Sequence, residues 1–309
     1  MIKILDFFFC FVDQNNDIMF NNKITLGVIL YLFSALISVG SNIFVKKVMV
    51  NYHLPAWEAV AVRQGVIVAI LLPFMIKMKF NFFNKETFNW NVLRDVLYAI
   101  SIGIMHIAMF KIPVNNGTSL QFLTPVIASI LAIFFLKEKN SIWIWVSLFV
   151  CLCGALIIQT PSFGDIKIVH AYVLLLISII LKSIITILNR KLALKFDISI
   201  LIFYMPTIIL FVSLLFCWEF IAFPPIVVVI LGIVGVFYLL EYIMIYTAYR
   251  YCNVVFIQPL EFSKIIYSIV LSNLVLGETT NYLQLFGISV IVFGFLIMLF
   301  SKKYLHNKN

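Results

Sequence analysis

The chain has 309 residues, of which 63% are apolar and only 11% charged, and it carries a net charge of +9. A soluble fold of that composition lacks the polar surface to cover itself, and several long apolar runs point to many membrane spans. With lipid as solvent, each segment must satisfy its own backbone, so the expected fold is an all-α integral membrane bundle.

Residues 1–23 read as an N-terminal extension. Ile2 to Val12 is short, is interrupted by Asp6 and runs into the polar stretch Asp13 to Asp17, which does not fit a signal peptide. The extension is an interfacial helix or lies upstream of a start at Met19, and the second is preferred. Ten candidate spans follow, at 25–45, 56–77, 93–111, 115–136, 141–160, 168–188, 198–218, 225–247, 252–276 and 281–301. Joins such as Lys137 to Asn140 and Gly277 to Thr280 are short. Asn140 with Ser141, and Thr279, Thr280 and Asn281, are suited to cap the helices that follow. Short joins make neighbours antiparallel and leave no room for a soluble catalytic domain.

Leu120 to Glu138, LQFLTPVIASILAIFFLKE, returns 140 residues later as Leu260 to Glu278, LEFSKIIYSIVLSNLVLGE. Leu120/Leu260, Phe122/Phe262, Leu131/Leu271, Leu136/Leu276 and Glu138/Glu278 coincide without a gap, and the same offset relates Gly154 to Gly294. The chain therefore divides into repeats at 24–161 and 165–303, with a tail at 304–309. A five-helix unit is odd, so its second copy enters the membrane from the opposite side. Such inverted halves mark many secondary carriers.

Orientation follows from the basic residues. With the N-terminus cytoplasmic, inward helix ends hold fifteen Lys and Arg and outward ends only four, Lys46, Lys47, Lys111 and Lys167. Both termini are thus expected inside. The net charge is a topology signal and gives no ground for a nucleic-acid partner; the expected partners are the bilayer and a small-molecule substrate. The Ile, Phe, Asn and Lys bias suits an AT-rich bacterial genome, hence a bacterial inner membrane. The five cysteines lack metal-ligand spacing and read as buried thiols. No phosphate-cradling glycine loop is present, so no cofactor or ATPase is expected and a gradient or exchange must supply the energy.

TPVIASILAIFFLKEK, LEFSKIIYSIVLSNLVLGET, the arginine in EAVAVRQGVIVAILLPF and the glycine in the last helix of each repeat together resemble the drug/metabolite transporter superfamily, in particular its EamA-type carriers. The resemblance covers roughly residues 24–301. It implies a central cavity between helices one to four and six to nine, with helices five and ten outside at a homodimer contact. Pro125 has no counterpart at Ile265, and the second repeat has Pro259 instead, so the two halves should bend at different depths.

Six ionisable side chains fall within spans: Arg63, His106, Lys182, Glu241, Glu261 and Lys264. A charge at mid-helix costs about 2.5–3.5 kcal/mol on insertion scales, so such groups turn inward to partners or water. Glu261 and Lys264 share a helix face, and Gln121 and Thr124 stand at their places in the first repeat. The pair is either self-neutralised or split between an amine and an anionic group. Glu241 lies among Tyr238, Tyr242 and Tyr246, a setting for an organic cation or for proton coupling; its alternative partner is Lys182. The candidate substrate residues are therefore Glu241, Glu261, Lys264, Gln121, Arg63, Tyr242 and Tyr246, with His106 and Lys182 as coupling candidates. Arg63 matches the family's second-helix arginine and has Glu58 nearby. Trp57, Trp143, Trp145 and Trp218 read as interface anchors, Asn42, Asn115 and Asn116 as residues of the outer mouth, and Glu138 and Glu278 as turn-stabilising residues.

The function expected is secondary transport of small polar or zwitterionic metabolites, foremost amino acids or related amines. The family also contains rickettsial S-adenosylmethionine carriers, and ILNRKLALKFDISILIFY is similar to a stretch of them, which makes that substrate the alternative. A membrane-embedded enzyme would need a catalytic or metal constellation that the sequence lacks. A lipid flippase would need a lateral opening, on which the sequence is silent.

Overall fold

A computed structural model describes residues 20–52, 56–78, 85–109, 111, 120–138, 141–159, 169–216, 224–276 and 281–306, and these are helical almost throughout. In chain order they form α1 (Phe20–Tyr52), α2 (Ala56–Met78), α3 (Lys85–Met109), α4 (Leu123–Leu136), α5 (Ile142–Gln159), α6 (Val169–Lys195), α7 (Ile198–Phe216) and α8 (Pro225–Tyr251). A short α9 (Val254–Ile257) and a 3₁₀ turn (Gln258–Phe262) lead into α10 (Ser263–Leu276), and α11 (Tyr282–His306) ends the described chain. The N-terminal extension, Trp218, Asn115, Asn116 and Glu278 lie outside the described residues.

Among the described residues, six segments are long and apolar enough to cross a membrane: Lys23–Met49, Val169–Lys195, Ile198–Phe216, Pro225–Tyr251, Val254–Val275 and Tyr282–Leu299. The protein is a multi-pass membrane protein. Its outward surface fits that solvent, since Ile76, Phe134, Phe135 and Leu274 are each more than 70% exposed. Exposing such side chains to water would forgo about 1.5–3 kcal/mol each, a cost that acyl chains remove.

Several helices run past the limits expected from hydropathy. α3 starts at Lys85, not 93, because Glu86 and Lys195 pair across its first turn while Thr87, Asn91, Arg94 and Asp95 are buried. The charges that read as a loop are satisfied inside the protein. α4 ends where Lys137 takes the left-handed conformation (φ 53°) that usually favours glycine, and the equivalent position in the second repeat is Gly277. Ser141 opens α5 as expected, accepting the Trp143 amide at 3.4 Å. At α11, Gln284 reaches back to the Asn281 amide at 2.9 Å. Trp57 stacks on Phe216, and the partly buried Trp145 packs against two buried clusters.

α5 and α11 pack along their length through glycines. A Cβ at Gly154 would meet Ile291 and Gly287, and one at Gly294 would meet Cys151 and Ser147. Position 154 rises as its neighbour falls, so the two helices are antiparallel. Each contact also maps onto the other when 140 is added to one partner and subtracted from the other. Ser147 donates to the Gly294 carbonyl at 2.7 Å and locks this seam. The same offset relates Phe122 to Phe262, whose rings meet at 6.2 Å.

Candidate functional site

The chain is broken between α8 and α9. Cys252 and Asn253 are extended, which frees backbone groups that a continuous helix would pair. Arg190 of α6 donates to the Tyr249 carbonyl and, at 3.2 Å, to Asn253 Oδ1. Glu138, beyond the end of α4, accepts the Val254 and Val255 amides at 3.2 and 3.3 Å and lies 3.6 Å from Arg190. Burial raises the Glu138 carboxyl above its ordinary value, while those amides and Arg190 oppose the shift. Glu138 therefore does more than close its own turn: it caps α9, which opens the helical segment running through the 3₁₀ turn into α10.

That segment delivers Glu261 and Lys264. Their carboxylate and ammonium meet at 2.6 Å, and Tyr31 of α1 donates to the other carboxylate oxygen. Each side chain of the pair keeps about 32% of its surface accessible. Tyr31 of α1 is the direct neighbour of the pair, and Lys182 of α6 and Glu241 of α8 are near enough to act on it electrostatically.

Glu241, about one turn beyond Tyr238 on α8, stands within reach of Ser38, Lys264, Arg63 and Glu261. Its Oε2 is buried and has no hydrogen-bond partner. Arg63 lies 3.8 Å over the Tyr238 ring, and its Nε is likewise buried and unpaired. Tyr238 donates to Asn42 at 2.7 Å, so Asn42 supports this wall of the cluster. Gln64 donates to Tyr242 at 3.3 Å.

Lys182 does not pair with Glu241. Its ammonium is 2.9 Å from Met105 Sδ and 3.4 Å from Gln121 Oε1, both neutral. Tyr246 stands apart, against Met205 and the buried Arg94–Asp95 ion pair. Thus Glu241, Glu261, Lys264, Lys182, Gln121, Arg63 and Tyr242 gather in one region, and Tyr246 borders it. The side chain of His106 lies outside the described residues.

Five contributors are not legible as such in the sequence. Tyr31 and Ser38 are single polar residues on an apolar helix. Arg94 and Asp95, as adjacent opposite charges, read as a helix end. Arg190 lies two residues past the sixth span as read from the sequence and falls among its inward basic residues, whereas the helix runs on to Lys195. Among the described residues no group of acidic, His and Cys side chains could hold a metal ion.

Residues 25–160 match the EamA-like transporter family. These residues belong to that family. The chain is also similar to the S-adenosylmethionine uptake transporter of Rickettsia bellii, at 23% identity over 90% of this chain and 95% of that one. The riboflavin transporter of Vibrio cholerae is 23% identical over 79% of this chain and 82% of its own. Solute carrier family 35 member G1 of Mus musculus is 31% identical, over 45% of this chain and 37% of that protein. One crystal structure shares the fold with a TM-score of 0.70 at 14% identity, covering 94% of this chain and 99% of the other. The family and these relatives are transporters.

Proposed function

We propose that this EamA-type protein is a secondary carrier of small polar or zwitterionic metabolites, amino acids or related amines first among them. The observation that carries the assignment is the Glu241 carboxylate, buried with one oxygen unpaired between Arg63 and Lys264 and edged by Tyr238 and Tyr242. A carboxylate held this way inside a membrane protein receives an ammonium group well, with ring faces adding cation–π attraction. Glu261 is already neutralised by Lys264, which leaves Glu241 as the acceptor for the substrate's cationic end.

Ten spans in two inverted halves fit this reading. Their support is the antiparallel α5–α11 seam, whose contacts exchange under the 140-residue offset. Bacterial relatives and the excess of basic residues at one set of helix ends support an inner-membrane location with both termini cytoplasmic. S-adenosylmethionine is the second candidate substrate. It is favoured by the Rickettsia relatives, and its sulfonium, amine and carboxylate suit a cluster of mixed charge.

The test is counterflow in proteoliposomes with labelled amino acids, amines, S-adenosylmethionine and riboflavin. One amine-bearing compound should be exchanged, and Glu241→Gln should abolish the exchange while the protein still inserts. Undiminished exchange in that variant would remove the proposed site.

A further inference from the structure

The five charges of the cluster do not balance. Among the described side chains gathered here, Arg63, Lys182 and Lys264 stand with two carboxylates, Glu241 and Glu261, and the nearby Arg94 and Asp95 neutralise each other. The surplus can be located. Lys264 holds Glu261 at 2.6 Å, whereas Lys182 has only a thioether and an amide oxygen, the latter at 3.4 Å. Neutral contacts compensate the desolvation of an ammonium poorly.

The repeat explains where the missing anion belongs. Gln121 occupies in the first half the place of Glu261 in the second, so Lys182 rests on the uncharged equivalent of a carboxylate. Ser183, the next residue on α6, donates to the Thr124 carbonyl at 3.2 Å, which fixes α6 against the start of α4 at this level. The Gln121 amide can turn to present its NH₂ and donate beside Lys182.

We infer that Lys182 and Gln121 form an anion subsite, which takes the carboxylate or phosphate of the transported molecule. The inference rests on the carrier assignment above and deepens it: a ligand with its amine at Glu241 and its anion at Lys182 leaves the cluster with one surplus cation, at Arg63. Lys182 thereby becomes a binding residue, in place of the coupling role expected from the sequence.

The test is thermal unfolding of the full-length protein in detergent with sodium acetate or inorganic phosphate, at constant ionic strength. At ten times the dissociation constant, wild type and Lys182→Arg should gain about 3 °C. Lys182→Gln should gain nothing, nor should Gln121→Glu, which supplies the anion from the protein. The salt with the larger effect distinguishes carboxylate from phosphate. Glu241→Gln should keep the full anion response, which separates failure of this subsite from failure of the amine site. An unresponsive wild type, or Lys182→Gln or Gln121→Glu responding like wild type, would overturn the inference. Should Lys182→Gln not fold, the contrast between Lys182→Arg and Gln121→Glu decides it.

Discussion

Replacing Glu138 by alanine should destabilise the protein through the groups it leaves behind. Against water the carboxylate itself is worth little, since burial already raises its proton affinity. Its removal strands the Val254 and Val255 amides, whose residues are fully buried, and takes the nearby acidic partner from Arg190. An unsatisfied buried donor costs about 1–3 kcal/mol, and Arg190 retains the Tyr249 carbonyl and Asn253, so its share is smaller. The two amides alone sum to about 2–6 kcal/mol. At roughly 2–4 °C per kcal/mol for a chain of this size, the unfolding midpoint should fall by at least about 4 °C and by up to about 24 °C. Cys151 and Cys252 are buried thiols, so with the other cysteines, among them the half-buried Cys153, replaced by serine, a thiol-reactive fluorophore reports unfolding in detergent. Glu138→Gln keeps one acceptor oxygen and should lie about midway. Arg190→Ala leaves the carboxylate without its cation, and combined with Glu138→Ala it should cost less than the two single changes added together. A fall below about 1 °C for Glu138→Ala, or strict additivity of the pair, would refute the reasoning.

The glycine seam gives a second stability test. A Cβ at Gly287 would lie 2.4 Å from Ile158 Cγ1 and 2.8 Å from the Gly154 carbonyl, so Gly287→Ala should cost about 1–3 kcal/mol as α5 and α11 are forced apart. Gly103 has open space where its Cβ would stand, so Gly103→Ala should leave the midpoint unchanged or raised in the same thermal assay. For Glu241→Gln, loss of exchange should come without loss of thermal stability, because Oε2 has no partner in the protein to forfeit; a parallel fall in both would mark Glu241 as structural.

What the sequence disclosed and what it hid follow a physical division. Glu261 and Lys264 are three apart on one helix, so their contact is fixed by helical geometry and could be read directly. The Lys182 neighbours come from α3 and α4, more than 60 residues away in sequence, and no periodicity announces them. For that reason the sequence left pairing with Glu241 open as one of two alternatives for Lys182. Hydropathy found the apolar middle of α3 but not its first turns, because Thr87, Asn91, Arg94 and Asp95 are buried through mutual bonding that composition does not register. Pro259 signalled a bend in the ninth span, yet the break precedes it, at Cys252 and Asn253, where Arg190 and Glu138 satisfy the freed backbone. The Glu138 contact joins residues 116 apart, so a recurrent glutamate at a helix end could be read only as a local feature.

A cysteine placed at Ser38, beside Glu241, tests most directly whether charge inside this bundle lines a wet, ligand-accessible chamber. In the otherwise cysteine-free protein in proteoliposomes, a membrane-impermeant charged methanethiosulfonate should modify it, and the exchanged substrate should slow the reaction. Reaction with lipid-soluble reagents alone, at a rate indifferent to substrate, would contradict the account.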